Sequence, residues 1–168
     1  MRNVNKSVLF SSYIGKSAKI GYISNDGKGR FINNDDQLRE QFVNLWQKVS
    51  GGSGREDQHP SGFNPAKKVK SVELRGNADY LRFIWSEIYT QKLFKRIPRR
   101  ILNSNRKITL AFLRGYNSCD GLKRGHQKTE FKSFTTNSST LAAGLWFLVK
   151  NTLELRITMH PEFRKNYI

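Results

Sequence analysis

Residues 111–121 read Ala111-Phe112-Leu113-Arg114-Gly115-Tyr116-Asn117-Ser118-Cys119-Asp120-Gly121, and this stretch decides how the rest of the chain is interpreted. It closes a helical segment expected from Lys107 to about Cys119. A helix with glycine on its contact face approaches a second helix closely, and Gly121 lets the chain turn out directly after an acid. Asp120 is thereby fixed at the end of the helix. An isolated Asp-Gly pair would be no more than a helix-ending turn. Two blocks flank it: Phe94-Lys95-Arg96-Ile97-Pro98 upstream and Ser138-Ser139-Thr140-Leu141-Ala142-Ala143-Gly144-Leu145 downstream.

The chain around these blocks has 168 residues, enough for one compact domain or two small halves. Its 37% apolar and 12% aromatic content supports a real core and argues against wholesale disorder. The single Cys119 excludes an internal disulfide framework and a multi-cysteine zinc site, so an intracellular, reducing compartment is expected. Cytoplasm, mitochondrion and chloroplast fit this equally. No apolar run approaches the roughly 18 residues of a membrane span, so a soluble protein without a membrane partner is expected. Lys and Arg number 30 against 13 Asp and Glu, a net charge of +17 that calls for a polyanionic partner. From Gln91 to Ser133 only Asp120 and Glu130 oppose a dense run of Lys and Arg, which marks the expected phosphate-facing region.

Further out, Leu38, Phe42, Leu45, Trp46 and Val49 form a helical stripe behind Asn34 or Asp35 as N-cap. Residues 51–65, rich in Gly, Ser and Pro, are expected to be an exposed loop before a short strand through Val69, Val72 and Leu74. A helix starting near Asn77 carries Leu81, Ile84, Trp85 and Ile88, and Pro98 separates it from Arg99 to Asn103. Gly121 to Thr136 reads as a hairpin and Ser138 to Thr152 as a helix. Near the start, an apolar turn spans Val8 to Ile14. Ala18 to Ser24 pairs with Arg30 to Asn33 across an Asn-Asp-Gly turn. Sliding the chain by 103 residues places Phe31 on Phe134, Asn34 on Asn137, Leu38 on Leu141 and Leu45 on Leu148, which points to an internal repeat.

The three blocks from Phe94 to Leu145 resemble the LAGLIDADG homing endonuclease family in its intein-type and archaeal form: the motif at 111–121, the Lys-x-Ile-Pro-like segment before it, and the helix after its hairpin. The resemblance implies an α+β fold of two pseudo-repeats, each helix, hairpin, helix, strand or strands, helix, around a paired central helix interface. Residues 1–93 would be a degenerate first repeat, and 94–168 a linker with a shortened second one. It implies site-specific cleavage or nicking of double-stranded DNA, with Asp120 as catalytic acid and metal ligand and Mg²⁺ as cofactor. Hairpin side chains would touch bases and phosphates. The expected contacts are Lys19, Lys28 and Arg30, the linker residues Lys95, Arg96, Arg99 and Arg100, and Lys123, Arg124, His126, Lys128 and Lys132.

Two departures qualify what the resemblance implies. In the first copy, Leu9 to Ser17 aligns with Lys16 where the acid belongs, and Ser11 remains as the small packing residue. A second frame, Gly21 to Gly27, restores an acid at Asp26 but leaves too few residues for a hairpin, so the Lys16 frame is preferred. In the second copy, 47 residues follow Gly121 in the chain of 168, so the sheet is expected to end in an open edge near Leu155 to Met159 that invites a protein partner or a second copy. The alternative function is a nuclease-dead descendant that binds structured RNA, as an intron maturase or a component of a ribosome bound to rRNA, with no cofactor. Gly15-Lys16-Ser17 lacks the first glycine of a phosphate loop. Tyr13 to Ser17 resembles only half of a GIY-YIG motif. His59, His126 and His160 have no metal-ligand spacing. Trp46, Trp85 and Trp146 read as core residues rather than base-stacking platforms.

Overall fold

In the computed structural model, the residues described are 21–61, 64–120, 134 and 136–161. The first motif, with Lys16 and Lys19, lies outside them, as do residues 121–133 and 135 of the second hairpin expected over Gly121 to Thr136.

The first hairpin forms where the Asn-Asp-Gly turn predicts it. Strand β1 (Gly21–Ile23) pairs antiparallel with β2 (Gly29–Ile32). Gly27 takes φ 83° at the turn, and a Cβ there would stand 2.8 Å from the Ala78 carbonyl oxygen, so only glycine fits. Helix α1 (Asp36–Ser50) follows, capped by Asp35, whose side chain accepts a hydrogen bond from the Leu38 N–H at 3.1 Å. Gly51 stops it in the left-handed conformation at φ 73°, its N–H returning to the Gln47 carbonyl. Of the predicted stripe, Phe42 and Trp46 are fully buried, and Leu38, Leu45 and Val49 pack beside them. Phe42 stacks on Phe31 of β2 with ring centroids 4.1 Å apart.

The expected loop at 51–65 is overturned. Residues Ser53–Pro60 form strand β3, paired along its length with β4 (Lys68–Arg75), and the sheet order is β1-β2-β4-β3. Its polar composition suits an edge strand whose helix-facing positions need no large apolar side chain. A Cβ on Gly54 would meet Val43 of α1 at 2.6 Å, so the helix lies almost on the strand backbone. Two residues on, Glu56 receives the Arg39 Nε at 3.0 Å. Gly52 leaves room for the Trp46 indole N–H to reach the Arg75 carbonyl at 3.1 Å.

Helix α2 (Ala78–Ile88) is capped by Asn77, whose side chain accepts from the Tyr80 N–H. Leu81, Ile84 and Ile88 are buried as expected, whereas Trp85, predicted to be core, is half-buried. A short helix α3 (Arg99–Leu102) follows Pro98, then α4 (Arg106–Asp120) and α5 (Ser139–Leu153). Helices α1 and α5 keep the 103-residue offset at both ends, 36 to 139 and 50 to 153, and Ser138 caps α5 through the Leu141 N–H as Asp35 caps α1 through Leu38. Phe42 and Trp46 correspond to Leu145 and Val149, all buried.

Among the described residues the fold is α+β, with five helices and a four-stranded antiparallel sheet. One apolar cluster joins Ile23, Phe31, Phe42 and Leu81 to Ile97, Phe112, Leu141 and Leu148, so residues from both predicted repeats share it. The edge strand expected at Leu155 to Met159 is not formed. Glu154 turns the chain in the left-handed conformation at φ 56°, and the following residues are irregular, with Ile157 folded back on the core and Leu155 and Met159 exposed.

Candidate nucleic-acid interface

Side chains alternate across a strand, so the register fixes what the sheet shows on the side away from the helices. Tyr22 lies beside Arg30, and Arg30 beside Glu73, which is itself paired with Arg55. Ile32 and Asp57 flank Ser71, His59 flanks Val69, and Ser53 flanks Arg75. Three arginines therefore share this face with two carboxylates. Arg30 reaches Asp57 at 3.4 Å, and Arg75 reaches Glu73 at 3.5 Å. The His59 Nδ1 lies 3.4 Å from the Ser71 hydroxyl. Such a face offers mixed hydrogen-bonding groups and only a modest positive surplus, which suits contact with base edges better than dense phosphate neutralisation.

Arg55 and Arg75 were not among the expected contacts. Arg55 was hidden by the loop expected at 51–65. With that segment recognised as a strand, the alternation Arg55, Asp57, His59 places all three on one face. At the turn leading into β2, Lys28 is held by Asp26 at 2.8 Å while remaining exposed. Asp26 also accepts from the Ser24 hydroxyl, and these two bonds lower its carboxyl to about 2.

The motif helix is fixed from behind. Asn105 caps α4 through the Ile108 N–H. Thr109, Phe112, Leu113 and Tyr116 are buried, Gly115 is buried between them in sequence, and Arg114 points outward. The Thr152 hydroxyl donates to the Thr109 Oγ1 at 3.1 Å, and the Arg106 Nε donates to the Thr152 carbonyl at 3.1 Å, which clamps α4 to α5. The helix ends on Asp120. Among the described residues, no group of three or more His, Cys, Asp and Glu comes together to hold a metal ion.

The linker is where the cations concentrate. Between Glu87 and Asp120 stand Lys92, Lys95, Arg96, Arg99, Arg100, Arg106, Lys107 and Arg114, with no carboxylate side chain among them. The structure divides the expected linker contacts into two kinds. Arg96 donates from Nε to the Glu87 carbonyl at 3.1 Å and from an Nη to the Ser86 carbonyl at 2.8 Å, closing the end of α2. Arg100 pairs with Glu87 at 2.7 Å and lies 4.8 Å over the Phe83 ring. Both serve packing, although each keeps its charge near the surface. Arg99 is exposed, and the Lys95 ammonium lies 6.0 Å from the Tyr89 ring centre. Lys19, Lys123, Arg124, His126, Lys128 and Lys132 lie outside the described residues.

The chain matches none of the protein-family models and none of the curated proteins with which it was compared. No helix among the described residues is long and apolar enough to cross a membrane.

Proposed function

We propose that the protein is a LAGLIDADG-type nucleic-acid-binding protein acting on double-stranded DNA as a site-specific endonuclease or nickase with an impaired second acid position. The observation that carries this reading is the equivalence of α1 and α5, equal in length, offset by the same interval at both ends and capped in the same way, with the motif helix α4 clamped to the later copy. Two further features support it. From Gly21 to Ile88 the order hairpin, helix, strands, helix follows the part of the expected pseudo-repeat that comes after its opening helix. The sheet turns a mixed polar face away from its helices.

In this reading Asp120 is the surviving catalytic and metal-binding acid, and a bound Mg²⁺ would supply charge stabilisation at the scissile phosphate. Lys16, at the other acid position, weakens the site that serves one of the two strands. The expected product is therefore nicked rather than linear DNA. Incubation with a supercoiled plasmid library and Mg²⁺ tests this, with Asp120→Asn expected to lower nicking by about 100-fold or more. Equal nicking by the variant, or intact plasmid across a broad sequence set, refutes the nuclease reading.

The second reading, a nuclease-dead descendant bound to structured RNA, is favoured by the position of the basic surplus. The described sheet face is nearly balanced, whereas the linker from Ile88 to Cys119 carries a run of cations with no carboxylate in its own sequence. Competition decides between them: duplex DNA displacing labelled structured RNA, but not the reverse, removes the RNA reading.

A further inference from the structure

Between the end of α2 and the start of α5 lies an open groove of about 640 Å³, whose walls include Trp85, Tyr89, Phe94, Lys92, Arg96 and Thr140. This volume falls within the roughly 300–1,000 Å³ typical of small-ligand sites. Its aromatic wall is built rather than incidental. Trp85 and Tyr89 sit one helical turn apart, with ring centres 6.0 Å apart and planes inclined by 29°. After Tyr89 the chain makes a tight reversal. The Thr90 N–H donates to the Phe94 carbonyl at 2.8 Å, the Leu93 N–H to the Thr90 carbonyl at 2.9 Å, and Tyr89 bridges Lys95. The reversal requires φ 61° at Leu93, a left-handed conformation that a branched side chain adopts only when its surroundings impose it. The result is that Phe94, 49% exposed, stands beside the Trp85–Tyr89 pair instead of entering the core.

No carboxylate side chain lines the groove. Lys92 is exposed at its rim. Two backbone carbonyls orient the Arg96 guanidinium, so its charge meets no carboxylate there, and the carboxylate of the neighbouring Glu87 is turned to Arg100. Flat rings beside oriented cations match a nucleobase beside its phosphate. A duplex does not present this pair, because its bases are stacked and only their edges face outward. An unpaired strand does.

We propose that this groove is a second nucleic-acid site, which takes an unpaired stretch of a single strand by stacking a base against Trp85, Tyr89 and Phe94 while Lys92 and Arg96 meet the adjacent phosphates. The proposal goes beyond duplex recognition by the sheet and stands on the geometry and charge of the linker alone. Ring faces and phosphates are common to RNA and DNA single strands, so the tighter of the two identifies the sugar.

The test is equilibrium binding of the full chain to labelled oligo(U) and oligo(dT) of roughly 12 nucleotides, a length within the range of single-strand site sizes. Phe94→Ala, at an exposed position, is expected to weaken the tighter oligonucleotide by about 5-fold or more. Lys92→Gln is expected to reduce the slope of log K against log salt by about 0.7, the value for one phosphate of a single strand. Met159→Ala, an equally exposed apolar truncation far along the chain, is expected to change neither, and Phe94→Ala is expected to leave duplex affinity unchanged. Binding of neither oligonucleotide, affinity unchanged in both groove variants, or parallel loss of duplex and single-strand binding in Phe94→Ala overturns the proposal. A shift in self-association on Phe94→Ala without any effect on oligonucleotides also overturns it and assigns the patch to a protein contact. Phe94→Ala is expected to leave plasmid nicking unchanged, so the two readings fail separately.

Discussion

Asp26 shows how much a single exposed side chain is worth to a turn. Its carboxylate accepts from Ser24 and faces Lys28, and the Lys28 N–H in turn donates to the Ser24 hydroxyl at 3.2 Å. The Lys28 bond is the larger cause of its acidity, and the Ser24 bond comes next. Because the folded value lies below the ordinary 3.8, the stabilisation is complete above about pH 4 and is lost as pH falls through about 2. Carboxyl-detected NMR titration is expected to place the Asp26 midpoint near 2, and a midpoint near 4 would show that the Ser24–Asp26–Lys28 arrangement does not persist in solution. Asp36 is lowered in the same direction by Lys70 first and Arg39 second, which ties the start of α1 to β4. Arg39 itself was invisible to sequence reasoning. It lies on the buried side of α1, where an apolar residue is expected, and besides Asp36 in the same helix its partners are Glu56 of β3 and the Asn33 carbonyl of the turn before the helix.

Among the elements, α1, α2 and α5 were legible because each couples an apolar stripe to a capping side chain, both visible in a single sequence. Strand β3 was not. An edge strand that lies under a helix through Gly54 and pairs Glu56 with Arg39 has no alternating apolar residues to reveal it, and Gly, Ser and Pro around it imitate a loop. The linker groove escaped for a different reason. Trp85 shares the apolar stripe of α2, and Phe94 is set beside it by a reversal that depends on a left-handed leucine, which no local pattern announces. Ser138 joins these elements. Its hydroxyl accepts from the Leu141 N–H and donates to the Lys95 carbonyl, so one buried side chain caps α5 and holds the linker against it. Ser138→Ala is expected to cost about 1–2 kcal/mol in urea denaturation, with Ser138→Thr recovering much of it. A loss under about 0.3 kcal/mol would mean that water replaces both bonds.

At the scale of the whole molecule, net charge has a sign but no position. The net +17 is a sum over the whole chain, and only the folded sheet shows that arginines and carboxylates nearly balance on the face bearing Arg30 and Glu73 while the linker keeps its surplus. Residues from both expected repeats, Phe42 and Leu81 with Ile97, Phe112 and Leu148, meet in one apolar cluster. Thermal unfolding of the full chain is therefore expected to follow a single transition, with calorimetric and van't Hoff enthalpies equal. Two resolved transitions would show that the halves melt independently.

Gly144 of α5 carries this further. A Cβ at that position would come within 3.1 Å of the Ile97 side chain, so the connector seats a peg in a notch where an added methyl would push that side chain aside by a few tenths of an ångström. The joint is a latch and not a hinge: to swing one half against the other, the molecule must first draw that peg out and expose a hole in its own interior.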